Sequence, residues 1–492
     1  MTTPRWISAA VGLLLVLVAV WQLETADAGL EVTHLRTGDL PVTLISPGED
    51  NLGDRPLVLI GHGLAGSRVI MLGYALTIGH AGYDVALWDF AGHGSNSSPL
   101  PEEGESGALV GDAEAALLAA QENGMGASGQ IAVLGHSMGS GMALSYGVAH
   151  PETMATIAVS PVSRPVTAQL PRNLLLLAEE YNQRFENNAE QLLQAAGGPG
   201  GDLLDGTARR LVVVPGVEHI AILFSPTAQQ EARQWLDSTF GIQPGAEEFT
   251  DRRVVWYGLG LVGTLLLAWS IAALVPGSEK DSYEQPTVPL IRRIGAIIVG
   301  ALGATTFLYV FSQAGLQLNE LLGLLVGGYL LVWFAIAGAL TMLLLGRMPA
   351  QLAWPPVLGS LLVFGALWIG VGLLGSYVWL PWLLIPQKLI LWPLGVLLSL
   401  PWLIAVAQSI LPTTWLGRAA WWLGYSGMII GALLLSIRLN PELGFLILIL
   451  PVFPVILGLH ALATGPYRWR TTFALGGALF IGWIVMAVFP LQ

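Results

Sequence analysis

The chain has 492 residues, a formal net charge of −12 at pH 7 and no cysteine. That length exceeds one ordinary core. The missing cysteines exclude disulfides, thiolate metal sites and cysteine nucleophiles, and an acidic surface disfavours nucleic acid as a partner. The charge is unevenly divided: residues 24–253 carry 11 Lys+Arg against 28 Asp+Glu, whereas residues 254–492 carry 9 against 5 and hold 14 of the 18 tryptophans. The first stretch reads as an acidic, water-facing domain and the second as a polytopic membrane domain.

In chain order, residues 1–29 come first, with an uncharged apolar run from Trp6 to Leu23. Its 18 residues suit a membrane anchor. Ala26-Asp27-Ala28 resembles a signal-peptidase site, so a cleaved signal peptide is the alternative. The run is longer than a usual signal core of roughly 7–15 residues, which favours the anchor. Residues 30–241 then alternate between strand-like and helical runs. Strands are expected at Glu31–Arg36, Val42–Ile45, Leu57–Ile60, Asp84–Trp88, Ile131–Leu134, Thr156–Val159, Leu174–Leu177 and Leu211–Val214. Helices are expected at Val69–Ala81, Gly107–Asn123, Ser140–Ala149, Phe185–Ala196 and Pro226–Phe240. The later strands are continuous apolar runs, as strands of a parallel sheet covered on both faces should be. The pattern argues for a doubly wound α/β sheet of about eight mostly parallel strands.

A short linker, 242–253, leads into the membrane domain, 254–492. Eight apolar spans follow, at about 254–275, 291–313, 321–345, 357–378, 387–410, 420–437, 441–463 and 471–490, each suited to a helix of about 20 residues. Pro381, Pro386, Pro393 and Pro401 are candidate breaks or kinks. With the amino terminus inside, the inner loops hold Lys280, Arg292, Arg293, Arg347, Arg418, Arg468 and Arg470, and the short outer segments only Lys388 and Arg438. That asymmetry puts the α/β domain outside the cytoplasm. The spans are nearly free of ionisable groups, which disfavours a proton-coupled carrier, and His460 is read as a packing residue. Gly323-x-x-x-Gly327 and Gly427-x-x-x-Gly431 are expected close-packing sites between helices.

The chemistry gathers around Gly135-His136-Ser137-Met138-Gly139, at a strand-to-helix junction. A serine on so sharp a turn is lifted clear of the sheet, and the Met138 amide points where an oxyanion would develop. After the strand Leu57–Ile60 comes Gly61-His62-Gly63-Leu64-Ala65-Gly66-Ser67, whose Leu64 amide can be a second oxyanion donor. After Leu211–Val214 comes Pro215-Gly216-Val217-Glu218-His219, which puts His219 within reach of Ser137 as general base. His62 and His136 are read as shaping loops, and His34, His80, His93 and His150 as surface or turn residues.

These motifs, with Asp89-Phe90-Ala91-Gly92-His93-Gly94-Ser95 between them, make residues 31–241 resemble an α/β-hydrolase of the lipase, esterase and serine-aminopeptidase-like group. The resemblance implies Ser137 as nucleophile, His219 as base, and Leu64 and Met138 as the oxyanion hole. The family's acid often follows the next-to-last strand in a Gly-x-x-Asp turn. Here the matching positions hold Glu179 for the glycine and Asn182 for the aspartate. Glu180 is the expected acid, Asn182 an uncharged substitute, and Glu179 is read as a solvated neighbour. Only Pro161–Arg172 occupies the place of a cap, so little or no cap and an open site are expected.

The leading expectation is an extracytoplasmic, membrane-bound serine hydrolase, carboxylesterase- or lipase-like rather than a peptidase. Its partners would be the lipid bilayer and an ester, lipid-like or short peptide substrate, and no cofactor or metal is called for. The alternatives are a catalytically weak binding module serving the membrane domain, and a transporter or acyltransferase with an accessory hydrolase domain.

Overall fold

The computed structural model describes residues 3–48, 54–100, 106–277, 288–346, 353–409, 414–467 and 469–492. Lys280, Arg347 and Arg468, used above to orient the loops, lie outside the described residues. An apolar helix, α1 (Thr3–Glu24), precedes the sheet. The strands are β1 (Glu31–Thr37), β2 (Leu40–Ser46), β3 (Leu57–Gly61), β4 (Asp84–Trp88), β5 (Ile131–His136), β6 (Ala155–Val159), β7 (Leu174–Glu179) and β8 (Arg209–Val214). All eight expected strands therefore form, in the order β1-β2-β4-β3-β5-β6-β7-β8. The β1–β2 and β2–β4 pairs are antiparallel, and every later pair is parallel.

The sequence explains why the sheet is covered twice. Successive strand side chains point to opposite faces, so Val58 and Ile60 of β3 enter one core while Leu57 and Leu59 enter another. On the first face lie α2 (Leu72–His80) and α6 (Pro226–Phe240), through Tyr74, Ala75, Ala228 and Trp235. On the second lie α3 (Ser106–Glu122), α4 (Met138–Ala149) and α5 (Gln183–Ala195). Residues 161–172 form neither helix nor strand, so the sheet carries no cap of its own.

The helical half contains α7 (Arg253–Ala272), α8 (Leu290–Gln313), α9 (Gly327–Leu345), α10 (Trp354–Leu367), α11 (Pro386–Ser409), α12 (Trp415–Leu439), α13 (Leu446–Ile449), α14 (Val452–Thr464) and α15 (Arg470–Val488). Among the described residues, eight helices are long and apolar enough to cross a membrane, α1 being one of them. The stretch expected at 441–463 is not a straight helix but a pair, Pro441–Ile449 and Val452–Thr464, bent by 51°. Pro451 at the break cannot donate to the helical ladder. Within α11, by contrast, Pro393 and Pro401 are accommodated, and Pro386 opens the helix.

Counting the bent pair as one crossing makes the chain's alternation consistent. Tyr377 meets both ends nearest the sheet, its hydroxyl bonding Glu24 and its carbonyl accepting from Arg253 Nη1 at 2.7 Å. Beyond α15, the Leu491 N–H donates to the Gly92 carbonyl at 3.0 Å, and the Leu491 carbonyl accepts from the Leu100 N–H at 2.9 Å. The last helix therefore ends at the sheet, which requires the bent pair to carry the chain back across.

Small residues let these helices touch. A Cβ on Gly12 of α1 would lie 2.8 Å from the Gly263 carbonyl oxygen of α7, and one on Gly338 of α9 would lie 2.1 Å from the Trp402 nitrogen of α11. Gly327 meets Phe489 just past the end of α15, but Gly323 precedes α9 and has only the Gln492 carbonyl oxygen at 3.9 Å, and nothing approaches Gly427 or Gly431 within 4 Å. That second motif is therefore not a packing site in this fold. His460 is buried and donates from Nε2 to the Phe473 carbonyl at 3.0 Å.

Candidate active site

Ser137 sits between β5 and α4 with φ 52° and ψ −115°. Such a backbone costs about 1–3 kcal/mol for a residue with a side chain and persists only where the surroundings impose it. Here the surroundings are two glycines. A Cβ on Gly135 would stand 1.9 Å from the Gly139 carbonyl oxygen, and one on Gly139 would stand 2.4 Å from that of Gly61. Strand and helix can thus converge only with glycine at both positions.

The Ser137 hydroxyl donates to His219 Nε2 at 3.2 Å, and His219 Nδ1 donates to Glu179 Oε1 at 2.9 Å. Glu179 Oε2 accepts from Ser160 Oγ at 2.7 Å. The carboxylate against His219 is therefore Glu179, not Glu180 and not a substitute at Asn182. Glu179 is the last residue of β7, in register with Val214 of β8, and is fully buried. Glu180 points away and accepts from the Gly216 N–H at 2.6 Å at an exposed position. Asn182 precedes α5 as its N-cap without a side-chain capping bond. A legible signal existed: a glutamate that continues the apolar run Leu174–Ala178 without interruption extends the strand and is buried with it.

Two rings hold the histidine. Phe185 stacks on His219 at 4.2 Å between centroids, tilted by 12°. His136 Nε2 donates to the His219 carbonyl at 3.1 Å. Burial pushes the His136 ring well below its usual pKa, with His219 acting the same way, so at neutral pH it is an uncharged prop.

The expected oxyanion donors lie on two elements. Met138 opens α4, where first-turn amides have no helical acceptor. Leu64 lies in the loop after β3 and lines the same cavity as Ser137 and His219. That loop is shaped by His62, whose Nδ1 donates to the Gly63 carbonyl at 2.8 Å while Nε2 accepts from the Phe90 N–H at 3.0 Å. The two bonds require a neutral ring. Burial supplies it, pushing His62 down to about 4 against the opposing Gly63 carbonyl. His93 is not a surface residue: it is buried, donates from Nδ1 to the Ala91 carbonyl at 2.8 Å, and is pushed down to about 3 by burial and by His62.

The helical half also lines the site. A cavity of about 230 Å³ starts at Ser137 and His219 and runs into the helical half. There it is walled by residues such as Leu330 of α9, Leu448 of α13, Phe453 of α14 and Val485 of α15, and every residue the helices contribute is apolar. The C-terminal edge of the sheet faces the long apolar helices, which take the place a cap would occupy. A larger concavity of about 530 Å³ between α8 and α12 holds no histidine or carboxylate. Among the described residues no cluster of histidine, aspartate and glutamate could hold a metal.

Residues 54–197 match the family model of the serine aminopeptidase, S33. The sheet is that of an α/β hydrolase. Among solved structures, a predicted CIB-like hydrolase from Thermoplasma acidophilum is similar at 17% identity and a TM-score of 0.34, covering 42% of this chain and 97% of its own. A membrane phospholipase A described as a bacterial virulence factor is similar at 15% and 0.34, covering 47% and 92%. A dienelactone hydrolase from Anabaena variabilis is similar at 20% and 0.30, covering 43% and 96%. No curated protein matches the chain, and no family is found for the helical half.

Proposed function

We propose that the protein is a membrane-bound serine hydrolase that cleaves ester or amide bonds through an acyl-enzyme on Ser137. The observation that carries this reading is one histidine bonded on one side to a serine on a strained turn and on the other to a buried carboxylate. In that arrangement Ser137 Oγ attacks the carbonyl carbon while its proton passes to His219 Nε2. The Leu64 and Met138 amides face the oxygen that becomes negative. The leaving alcohol or amine takes the proton from His219 as the carbonyl–heteroatom bond breaks. Water then attacks the acyl-enzyme by the same route, returning the proton to Ser137. Glu179 holds the tautomer with Nδ1 protonated and stabilises the transient imidazolium. The weak-module reading rested on a missing carboxylate, and Glu179 removes that motive.

Labelling by a fluorophosphonate tests the reading: the full-length protein should react and Ser137→Ala should not. Labelling that persists in Ser137→Ala would overturn it. The same reading puts the hydrolase domain outside the cytoplasm with α1 as a retained anchor. Two features support this: the basic ends Arg5, Arg292, Arg293, Arg418 and Arg470 fall away from the sheet, and Gly12 packs on Gly263. Protease added to intact spheroplasts should degrade residues 30–250, and their protection would reverse the orientation.

A further inference from the structure

The cavity beyond Ser137 is shared by both halves of the molecule. It descends from the C-terminal edge of the sheet between α9, the bent pair and α15, so a molecule bound at the serine extends among residues of membrane-crossing helices. Its histidines and its serine, His136, Ser137 and His219, stand at one end, on the sheet side. A substrate that fits this distribution has one polar, hydrolysable carbonyl group and one long apolar tail. A short peptide does not, because its backbone amides and carbonyls would be left without partners among Leu448, Ile449, Phe453 and Ile484.

We infer that the helical half is the acyl-chain site of the enzyme: the substrate is a membrane-resident lipid ester whose chain lies between α9, α13, α14 and α15 while its carbonyl reaches Ser137. This rests on the serine-hydrolase reading and adds to it the substrate class and the role of the helices. The bond broken is the acyl ester, the chain remaining on Ser137 as the acyl-enzyme and the alcohol-bearing headgroup leaving with the proton from His219. The bent pair lies along the cavity, with Phe445, Leu448 and Ile449 before the break and Val452, Phe453 and Ile456 after it.

The test uses the full-length protein in phosphatidylcholine nanodiscs, with p-nitrophenyl acetate and p-nitrophenyl decanoate as probes. Competent sites are counted by labelling with a short ethyl fluorophosphonate, so that kcat/KM is expressed per site. Val485→Trp and Leu448→Trp narrow the cavity from opposite walls. Each should lower the decanoate-to-acetate ratio of kcat/KM by roughly tenfold or more, the scale on which a pocket discriminates by apolar volume. Partitioning into the bilayer is the same for wild type and variant and cancels. A smaller fall in both variants overturns the inference while leaving the hydrolase reading intact.

A second measurement needs no variant. A long-chain alkyl fluorophosphonate with a photoreactive tip, bound to wild type and irradiated, should crosslink to residues 445–456 or 481–489. Crosslinks confined to residues 30–250 or to lipid overturn the acyl-site assignment. Failure of wild type to be labelled at Ser137 by either probe overturns the hydrolase reading itself.

Discussion

The two halves of the molecule bury polar groups by opposite rules. In the sheet half, the buried histidines and acids cluster beyond the strand ends and hold one another: Glu179 takes His219 and Ser160, and Asp89 takes Arg68 and the Ser95 amide. In the helical half, buried hydroxyls and indoles mostly return to helix backbone or to each other. Thr341 Oγ1 donates to the Ala337 carbonyl at 2.8 Å, and Trp402 Nε1 donates to the Tyr425 hydroxyl at 2.7 Å. The first rule lines up a serine, a histidine and a carboxylate, and the second only satisfies a helix in an apolar medium. The chemistry of the site therefore comes wholly from one half and its shape largely from the other.

The comparison breaks most visibly at Glu179. Glu179→Gln should lower kcat on an activated ester by about 10⁴-fold, as for any triad that loses its orienting charge. Glu180→Gln and Asn182→Asp should each stay within a few-fold of wild type in the same assay. A large loss in Glu180→Gln with Glu179→Gln unaffected would reverse the assignment.

Packing separates the halves next. A Leu at Gly338 meets the Trp402 backbone, which cannot swing aside. Overpacking of this kind costs about 1–3 kcal/mol, occasionally more. Gly338→Leu should accordingly lower the thermal midpoint in detergent by several degrees. An unchanged midpoint would mean that α9 and α11 are not held in contact.

Acid should act on the sheet half. His62 and His93 have folded pKa values near 4 and 3, below the unfolded 6.5, so both are neutral in either state above that pH and contribute no pH dependence there. As pH falls below 6.5 the unfolded chain takes protons that the buried rings refuse, and stability drops, by about 3 kcal/mol for His62 alone once pH 4 is reached. Asp112 works the other way: burial raises it to about 6, so it gains stability as pH falls between 6 and 4. Asp84 is raised by burial in the same sense as Asp112, and His136 is lowered in the same sense as His62 and His93. The three histidines outweigh the two carboxyls, and thermal midpoints should fall between pH 7 and pH 5. His62→Asn should flatten that fall, and an equally steep profile in the variant would remove His62 from the account.

The smallest effect is expected at Gly427, where no neighbour approaches. Gly427→Ala should be neutral, or stabilising by up to about 1 kcal/mol through helix propensity. A marked loss would revive the close-packing motif that the fold does not use.

Legibility follows the same division. The eight strands, the serine turn and His219 could be read because each depends on a local pattern: an apolar run, a glycine pair, a histidine just past a strand. Glu179 was legible only through the uninterrupted apolar run before it, because its role depends on where β7 stops, and a two-residue difference in a strand end changes which carboxylate is buried. The walls of the cavity were hidden for a different reason. Leu448 or Val485 in an apolar span carries no local mark distinguishing a residue that faces lipid from one that faces a serine. His93, read as a surface turn, is buried against the His62 ring, a contact between two loops that no local pattern marks. Gly338 escaped notice because no second glycine stands four residues away to make a motif of it.

The pairing of Leu491 with Gly92 and Leu100 has a consequence in time. A ribosome completes the sheet, with Ser137, Glu179 and His219 already in order, before it has made any of the helices that wall the cavity. The helix that brings Val485 to the serine is the last one described, and the backbone clasp that seats it follows it. A nascent chain therefore holds the serine, histidine and glutamate facing an unfinished wall. Its site takes its final shape only when Leu491 pairs with Gly92 and Leu100.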